Sequence, residues 1–247
     1  MPSERVRLDQ VLVDRGLARS RSQARDMILR GHVRLDGRNV ARPAQPVSPD
    51  AVIEIDDPAR HYVARSALKL MSALDAFDMS PAGRVALDVG ASTGGFTQVL
   101  LERGATRVHA MDVGHDQLAD EVANDPRVIR HDGLNARYLT EDQIGEQVRA
   151  ITIDVSFISL GLVLGPVLTL AAQDAWLVAL IKPQFEVGPD RIGKGGVVSD
   201  AEAQHVAIET VRNIVLQDGW VILDVIPSPI LGGDGNREWL IGARFST

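Results

Sequence analysis

The segment Asp88-Val89-Gly90-Ala91-Ser92-Thr93-Gly94-Gly95-Phe96-Thr97 sets one carboxylate ahead of three glycines and several hydroxyls. Glycine carries no Cβ, so such a turn lets a ligand approach the backbone N–H groups closely. Elsewhere in the 247 residues stand two lysines and two acids of interest, Lys69, Asp154, Lys182 and Glu238. Gathered in one place, they could remove a proton from a weakly acidic hydroxyl. A lysine does this only when burial and a neighbouring cation lower its pKa from ~10.4. Lys182 is then the expected base and Lys69 the neighbouring cation. Asp154 and Glu238 would hold the lysines and the acceptor in place.

The elements that must position these groups follow from the apolar periodicity. Val85 to Val89 reads as a buried strand and Val99-Leu100-Leu101 as the start of a helix, which puts the glycine turn at a helix N-terminus. Further strands are expected near 84–89, 107–112, 126–130, 150–155, 176–182, 219–226 and 238–245, with helices near 66–77, 96–103, 116–123, 159–171 and 201–217. This alternation predicts an α/β, Rossmann-like fold with a mostly parallel seven-stranded sheet and helices on both faces. Open sheets of this kind bind ligands outside the carboxyl ends of their strands. Asp154 and Lys182 close two strands and should converge there. Lys69 lies on the helix before the first strand, and Glu238 opens the last strand.

Two cofactor classes compete for the turn. A dinucleotide site would show G-x-G-x-x-G, whereas the glycines here fall at 90, 94 and 95 behind Asp88. Asp88-x-Gly90 at the end of the first strand is the pattern of S-adenosylmethionine-dependent methyltransferases, so the expected contacts are Asp88, Gly90, Ser92, Thr93, Gly94, Gly95 and Phe96. Asp112 closes the next strand, where a carboxylate can accept both ribose hydroxyls. Asp132 follows the third strand and could meet the adenine edge. A Lys-Asp-Lys-Glu set is found in enzymes that methylate ribose 2′-hydroxyls.

Ahead of this body, charge is uneven. Arg5 to Arg42 holds ten arginines against four aspartates, a net +6; the whole chain is −7, which leaves −13 for the rest. A basic arm on an acidic body suits a protein that meets a polyanion at one end. Leu8, Val11 and Leu12 share one helical face, Ser20 with Gln23 forms a capping box, and Ala24, Met27 and Ile28 turn a second helix inward. Strands at 33–35, at Val40 and at 52–55 follow, with a turn at Asp36-Gly37. The string Arg7-Leu8-Asp9, Gly16, Ser20-Arg21, Ala24, Ile28, Gly31, Val33 and Gly37 resembles the S4 RNA-binding domain. The expected layout is an S4-like α+β domain over 1–57, a linker over 58–63 and a methyltransferase domain over 64–247. Arg5, Arg7, Arg19, Arg21, Arg25 and Arg65 are the expected RNA contacts, through phosphates and shape.

Over residues 5–245 the chain resembles the TlyA-type, haemolysin A-like family, which joins an S4 domain to an FtsJ-like methyltransferase. The carrying segments are Tyr62–Leu70, Asp88–Thr97, Asp154–Leu160, Lys182–Gly188, Gly195–Val198 and Gly235–Glu238. The resemblance implies 2′-O-methylation of a cytidine in ribosomal RNA, with Lys69, Asp154, Lys182 and Glu238 as catalytic tetrad. The end at Thr247, soon after the last strand, resembles members acting on the large-subunit RNA, so 23S is expected and 16S is the variant. Gln98, where an acid is common, and Ser66-Ala67 depart from the pattern. The rivals are a non-catalytic RNA-binding or ribosome-assembly factor and, more remotely, a haemolysin. With no cysteine, there are no disulfides and no thiolate metal sites, and no metal is expected. Apolar runs stop short of the ~18 residues that a membrane span needs, and no export signal is read. A cytoplasmic monomer working on ribosomal RNA or a ribosomal subunit, without membrane contact, is the expectation.

Overall fold

Alternate side chains of the central strands bury in opposite directions, and this sets the layers of the larger part of the molecule. The computed structural model describes residues 5–245, and the chain divides after His61 into two units.

In the first unit, β1 (Val6–Arg7) leads into α1 (Leu8–Asp14) and α2 (Arg21–Leu29), followed by β2 (Val33–Leu35), β3 (Arg38–Asn39), β4 (Pro46–Val47) and β5 (Ile53–Ile55). β1 pairs with β4, and β2 pairs with β3 and β5, all antiparallel. Leu8, Val11, Leu12, Ala24, Met27 and Ile28 form the core between the helices and Val33. Asp36 (φ 48°) and Gly37 (φ 75°) take the two left-handed positions of a tight hairpin turn between β2 and β3. Ser20 Oγ accepts the Gln23 N–H at 3.2 Å as expected, but the Gln23 side chain accepts from Arg19 N–H at 2.8 Å rather than from Ser20. The chain entering the expected linker is packed: Asp57, just before it, accepts two bonds from Arg30, and Ala59 within it is buried.

The second unit runs α3 (Ala67–Ala76), β6 (Val85–Val89), α4 (Gly95–Glu102), β7 (Arg107–Asp112), α5 (Asp120–Ala123), β8 (Val128–Asp132), α6 (Glu141–Ile144), β9 (Val148–Ile153), α7 (Leu164–Leu168), β10 (Ala171–Ile181), α8 (Pro183–Glu186), α9 (Ala201–Gln217), β11 (Trp220–Pro227) and β12 (Trp239–Phe245). The seven strands order as β11-β12-β10-β9-β6-β7-β8, with β12 antiparallel to both neighbours. Leu87, Val89, Ile151, Ile153, Leu177, Ala179 and Ile181 face α7 and α9 on one side. Ala86, Val108, Ala150, Val178 and Leu180 face α3 and α4 on the other. Strands buried on both faces read as continuous apolar runs, as these do.

Two expected helices are shorter than their patterns. The helix expected over 116–123 forms only at Asp120–Ala123. The one expected over 159–171 is a 3₁₀ turn, Leu160–Leu162, followed by α7, and β10 begins at Ala171. Gly161, Gly165 and Pro166 weaken that helix, and the run Val167-Leu168-Thr169-Leu170-Ala171 suits a buried strand as well as a helix.

Candidate active site

β6 has β7 on one side and β9 on the other, so the connections leave it in opposite directions and open a crevice at the carboxyl ends. A cleft of about 560 Å³ lies there, with Gly90, Ser92, Asp112 and Asp154 in its lining and Met111, Val113, Leu134 and Ile158 among its apolar walls. That size and that mixture suit a nucleoside-sized ligand. Asp112 Oδ2 accepts the Ser92 N–H and Oδ1 the Gly114 N–H, each at 2.8 Å. Two backbone donors thus fix the carboxylate at the cleft and leave lone pairs for further donors.

Only part of the glycine turn reaches this lining. Gly90 (φ 84°) does, and a Cβ there would lie 2.5 Å from the Asp154 carbonyl oxygen, so β6 and β9 could not close at this point with any other residue. Thr93, Gly94, Gly95 and Phe96 lie outside the lining. Gly95 serves packing: a Cβ would meet Ser66 Oγ at 2.5 Å and Ala64 at 3.0 Å. Phe96 is a core residue beneath α4. Asp88 is fully buried behind the turn, accepting from Thr97 Oγ1 at 2.7 Å and Thr152 Oγ1 at 2.9 Å. Burial pushes its carboxyl up to about 6, against the pull of those two hydroxyls. Asp132 also lies outside the lining, held by Arg130 at 2.5 Å and the Asp116 N–H at 3.3 Å; Leu134, Asn135 and Ala136 form that wall instead.

The four ionisable groups meet in two close pairs. Lys182 Nζ lies 2.6 Å from Asp154 Oδ1 and donates to Ser156 Oγ at 2.8 Å. Lys69 Nζ lies 2.5 Å from Glu238 Oε2. The sheet brings the pairs together: Ile181 faces Trp239 across β10 and β12, and one step further along this antiparallel register come Lys182 and Glu238. Lys69, Lys182 and Glu238 are buried, and Asp154 is partly buried at the cleft. Gly232 packs against Glu238, leaving room for no side chain of its own, and Asn236 anchors the same turn by bonding Gly196 O and Val198 N.

Sequence reasoning missed the group beside the tetrad. Phe157 lines the cleft, is 92% exposed and holds φ 64°, a left-handed conformation in a residue that is not glycine. Its ring centroid is 5.3 Å from that of Phe185. The segment Asp154–Ser159 is half apolar, so an aromatic there carried no local signal. Gln98, where the family pattern has an acid, accepts the Val63 N–H at 2.9 Å, which a carboxylate could equally do.

Among the arginines, Arg21 and Arg25 are exposed on α2 while Ala24, Met27 and Ile28 are buried. Arg7 forms a two-point bond with the buried Asp9, at 2.9 and 2.7 Å, and Arg21 approaches the same carboxylate at 3.5 Å. Arg19 donates to His61 O at 2.6 Å. Arg5 is exposed and Arg65, in the second unit, is partly buried.

The comparisons with known proteins agree with this division. The FtsJ-like methyltransferase model matches residues 62–245 and the S4 domain model residues 6–53. The 16S/23S rRNA (cytidine-2′-O)-methyltransferase TlyA of Mycobacterium tuberculosis is 46% identical over 99% of this chain and 92% of its own length. The 23S rRNA (cytidine-2′-O)-methyltransferase TlyA of Campylobacter jejuni is 31% identical over 92% of this chain and 95% of its own. A solved structure of a presumed hemolysin from Streptococcus thermophilus superposes with a TM-score of 0.77, at 34% identity, covering 98% of this chain and 89% of that one. Domain order, sheet topology and full-length identity together make this chain a member of the TlyA-type FtsJ-like methyltransferases that carry an S4 domain.

Proposed function

We propose that the chain methylates the 2′-hydroxyl of a cytidine in ribosomal RNA with S-adenosylmethionine as donor. 23S RNA is the preferred substrate, being the RNA that both methyltransferase relatives carry in their names. The observation that carries the reading is the pair of lysine–carboxylate contacts, Lys182–Asp154 and Lys69–Glu238, set side by side at the ends of β9, β10 and β12 beside the cleft.

The cleft fits the donor. Asp112, fixed by two N–H bonds, would accept its ribose hydroxyls, and the Gly90–Ser92 turn would take its methionine end. Met111, Val113 and Leu134 would cover the adenine, with Asn135 rather than Asp132 as the polar side chain along its edge. When bound, the donor supplies an electrophilic methyl group on sulfur.

The remaining work falls to this chain's side chains. A ribose hydroxyl attacks poorly near neutral pH unless a base removes its proton. Lys182 is the candidate base. As a neutral amine it would donate to Ser156 Oγ, stay beside Asp154 and keep a lone pair that takes the proton of the acceptor hydroxyl. Lys69, tied to Glu238, supplies the second cation and fixes the carboxylate that faces Lys182 across the register. The exposed Phe157 ring at the cleft offers a stacking face for a base splayed out of its helix. Arg7, Arg21 and Arg25 would add affinity through phosphates.

Labelled methyl transfer to naked 23S RNA, free subunits and whole ribosomes tests this, with the modified nucleotide mapped by reverse transcription. Lys182→Ala should abolish transfer and leave donor binding intact. No transfer to any of the three by the unaltered protein would leave an RNA-binding assembly factor.

A further inference from the structure

The segments that follow β9 and β10 are laced together in register. Lys182 reaches Asp154 at 2.6 Å and Ser156 at 2.8 Å, the Phe185 ring lies 5.3 Å from the Phe157 ring, and Glu186 accepts from Ser159 Oγ at 2.7 Å and from the Leu160 N–H at 2.9 Å. The lysine end of this lacing belongs to the catalytic group. The Glu186 end has no part in the chemistry described above, yet it is the less expected of the two. Its carboxylate is partly buried, and among the described residues no cation pairs with it. Two neutral hydrogen bonds are all that offset its desolvation, and burial holds its carboxyl above the usual range.

Between the two fastened ends stands Phe157. A left-handed φ in a bulky non-glycine residue is costly and persists only where the surroundings over-determine it. The exposed ring gives back little beyond its contact with Phe185. The lacing is what over-determines it: upstream through Asp154 and Ser156, downstream through Ser159 and Leu160.

We infer that Glu186 is a positioning residue for the transfer reaction, pinning Ser159 and Leu160 so that the Phe157 ring stays presented at the cleft for the acceptor base. This rests on the RNA-methylating role proposed above. Glu186 acts through hydrogen-bond geometry and through Phe157, and it touches neither donor nor acceptor. Glutamine keeps an acceptor for the Leu160 N–H and a donor for Ser159 Oγ; alanine keeps neither.

Single-turnover methyl transfer at saturating RNA and donor reads the effect, because misplacement of about 1 Å near a reacting group can cost on the order of 100-fold. Glu186→Ala should slow transfer at least ~10-fold with donor affinity unchanged, and Glu186→Gln should recover most of the rate. Glu186→Ala should add little to Phe157→Ala, since the two changes break one device. Multiplicative losses in the double variant, an unchanged rate in Glu186→Ala, or a Gln variant as slow as the Ala variant would each overturn the assignment. Ser159→Ala removes one of the two bonds and serves if Glu186→Ala does not fold. Hydrogen exchange at the Leu160 amide separates the two readings. If the unaltered protein methylates no ribosomal RNA, the proposed function fails, and Leu160 exchange still decides the pin: faster in Glu186→Ala supports it, unchanged sinks it.

Discussion

Beside the cleft, Lys69 and Lys182 have side chains only 8% and 9% exposed and sit against Glu238 and Asp154. In the first unit Arg7 and Arg21 converge on one aspartate, Asp9, with their own side chains 49% and 55% exposed. Both places gather opposite charges, but solvent treats them differently. A buried pair that loses one partner leaves a stranded charge, so each member is close to indispensable. Exposed guanidiniums around a single acid are screened and replaceable, and each contributes a graded share. The buried acid there serves as an anchor: the Arg7 guanidinium holds the Asp9 carboxyl below its ordinary range, and Arg21 shares it weakly. The contrast assigns geometry to the cleft and affinity to the arginines.

The sharpest way to break this contrast is a substitution that keeps charge but changes chemistry. Lys182→Arg keeps a cation opposite Asp154, yet a guanidinium stays protonated at any working pH and cannot serve as base. Methyl transfer should fall at least about 10²-fold, as far as general-base help extends, while isothermal titration shows donor binding unchanged. Appreciable transfer by Lys182→Arg would mean that charge alone matters there, and the base assignment would fall.

The graded side of the contrast is tested by Arg21→Glu combined with Arg25→Glu. RNA affinity at ~0.1 M salt should drop about 10- to 100-fold, and the plot of log Kd against log salt should become shallower by about one to two units. Donor affinity should not move. A salt slope that stays as steep would place the phosphate contacts elsewhere.

Legibility in the sequence divides along similar lines. Strands buried on both faces announced themselves by apolar runs, and the helix expected over 201–217 forms over that range as α9. Asp112 and Asp154 were readable because strand ends have a fixed relation to the crevice of an open sheet. The Lys69–Glu238 partnership was not readable from residues alone. Lys69 and Glu238 are 169 residues apart, and only the β10–β12 register brings them to Lys182. Spacing did not show that a side chain at Gly95 would meet Ala64 and Ser66. Nor did spacing show that Leu134–Ala136, just beyond Asp132, line the cleft. Phe157 and Glu186 leave no local pattern, since their roles depend on two loops meeting.

A third acid sharpens the distinction between anchored and stranded charge. Asp88 is fully buried, with the hydroxyls of Thr97 and Thr152 and the Thr97 backbone N–H as partners and no cation among the described residues, and burial lifts its carboxyl to about 6. In the unfolded chain it would titrate near ~3.9, so between about pH 4 and pH 6 the folded state holds the extra proton. Stability therefore falls as pH rises through that window and levels off above it, opposite to the behaviour of Asp9, whose depressed carboxyl stabilises the fold at higher pH. Asp88→Asn removes the titration, and its amide can still bond both threonine hydroxyls. Denaturant unfolding at pH 5 and pH 7.5 should show the variant gaining on the parent by on the order of 1 kcal/mol across that interval. A difference that stays constant with pH would mean that Asp88 ionises as easily in the fold as in water, and that Thr97 and Thr152 offset its burial in full.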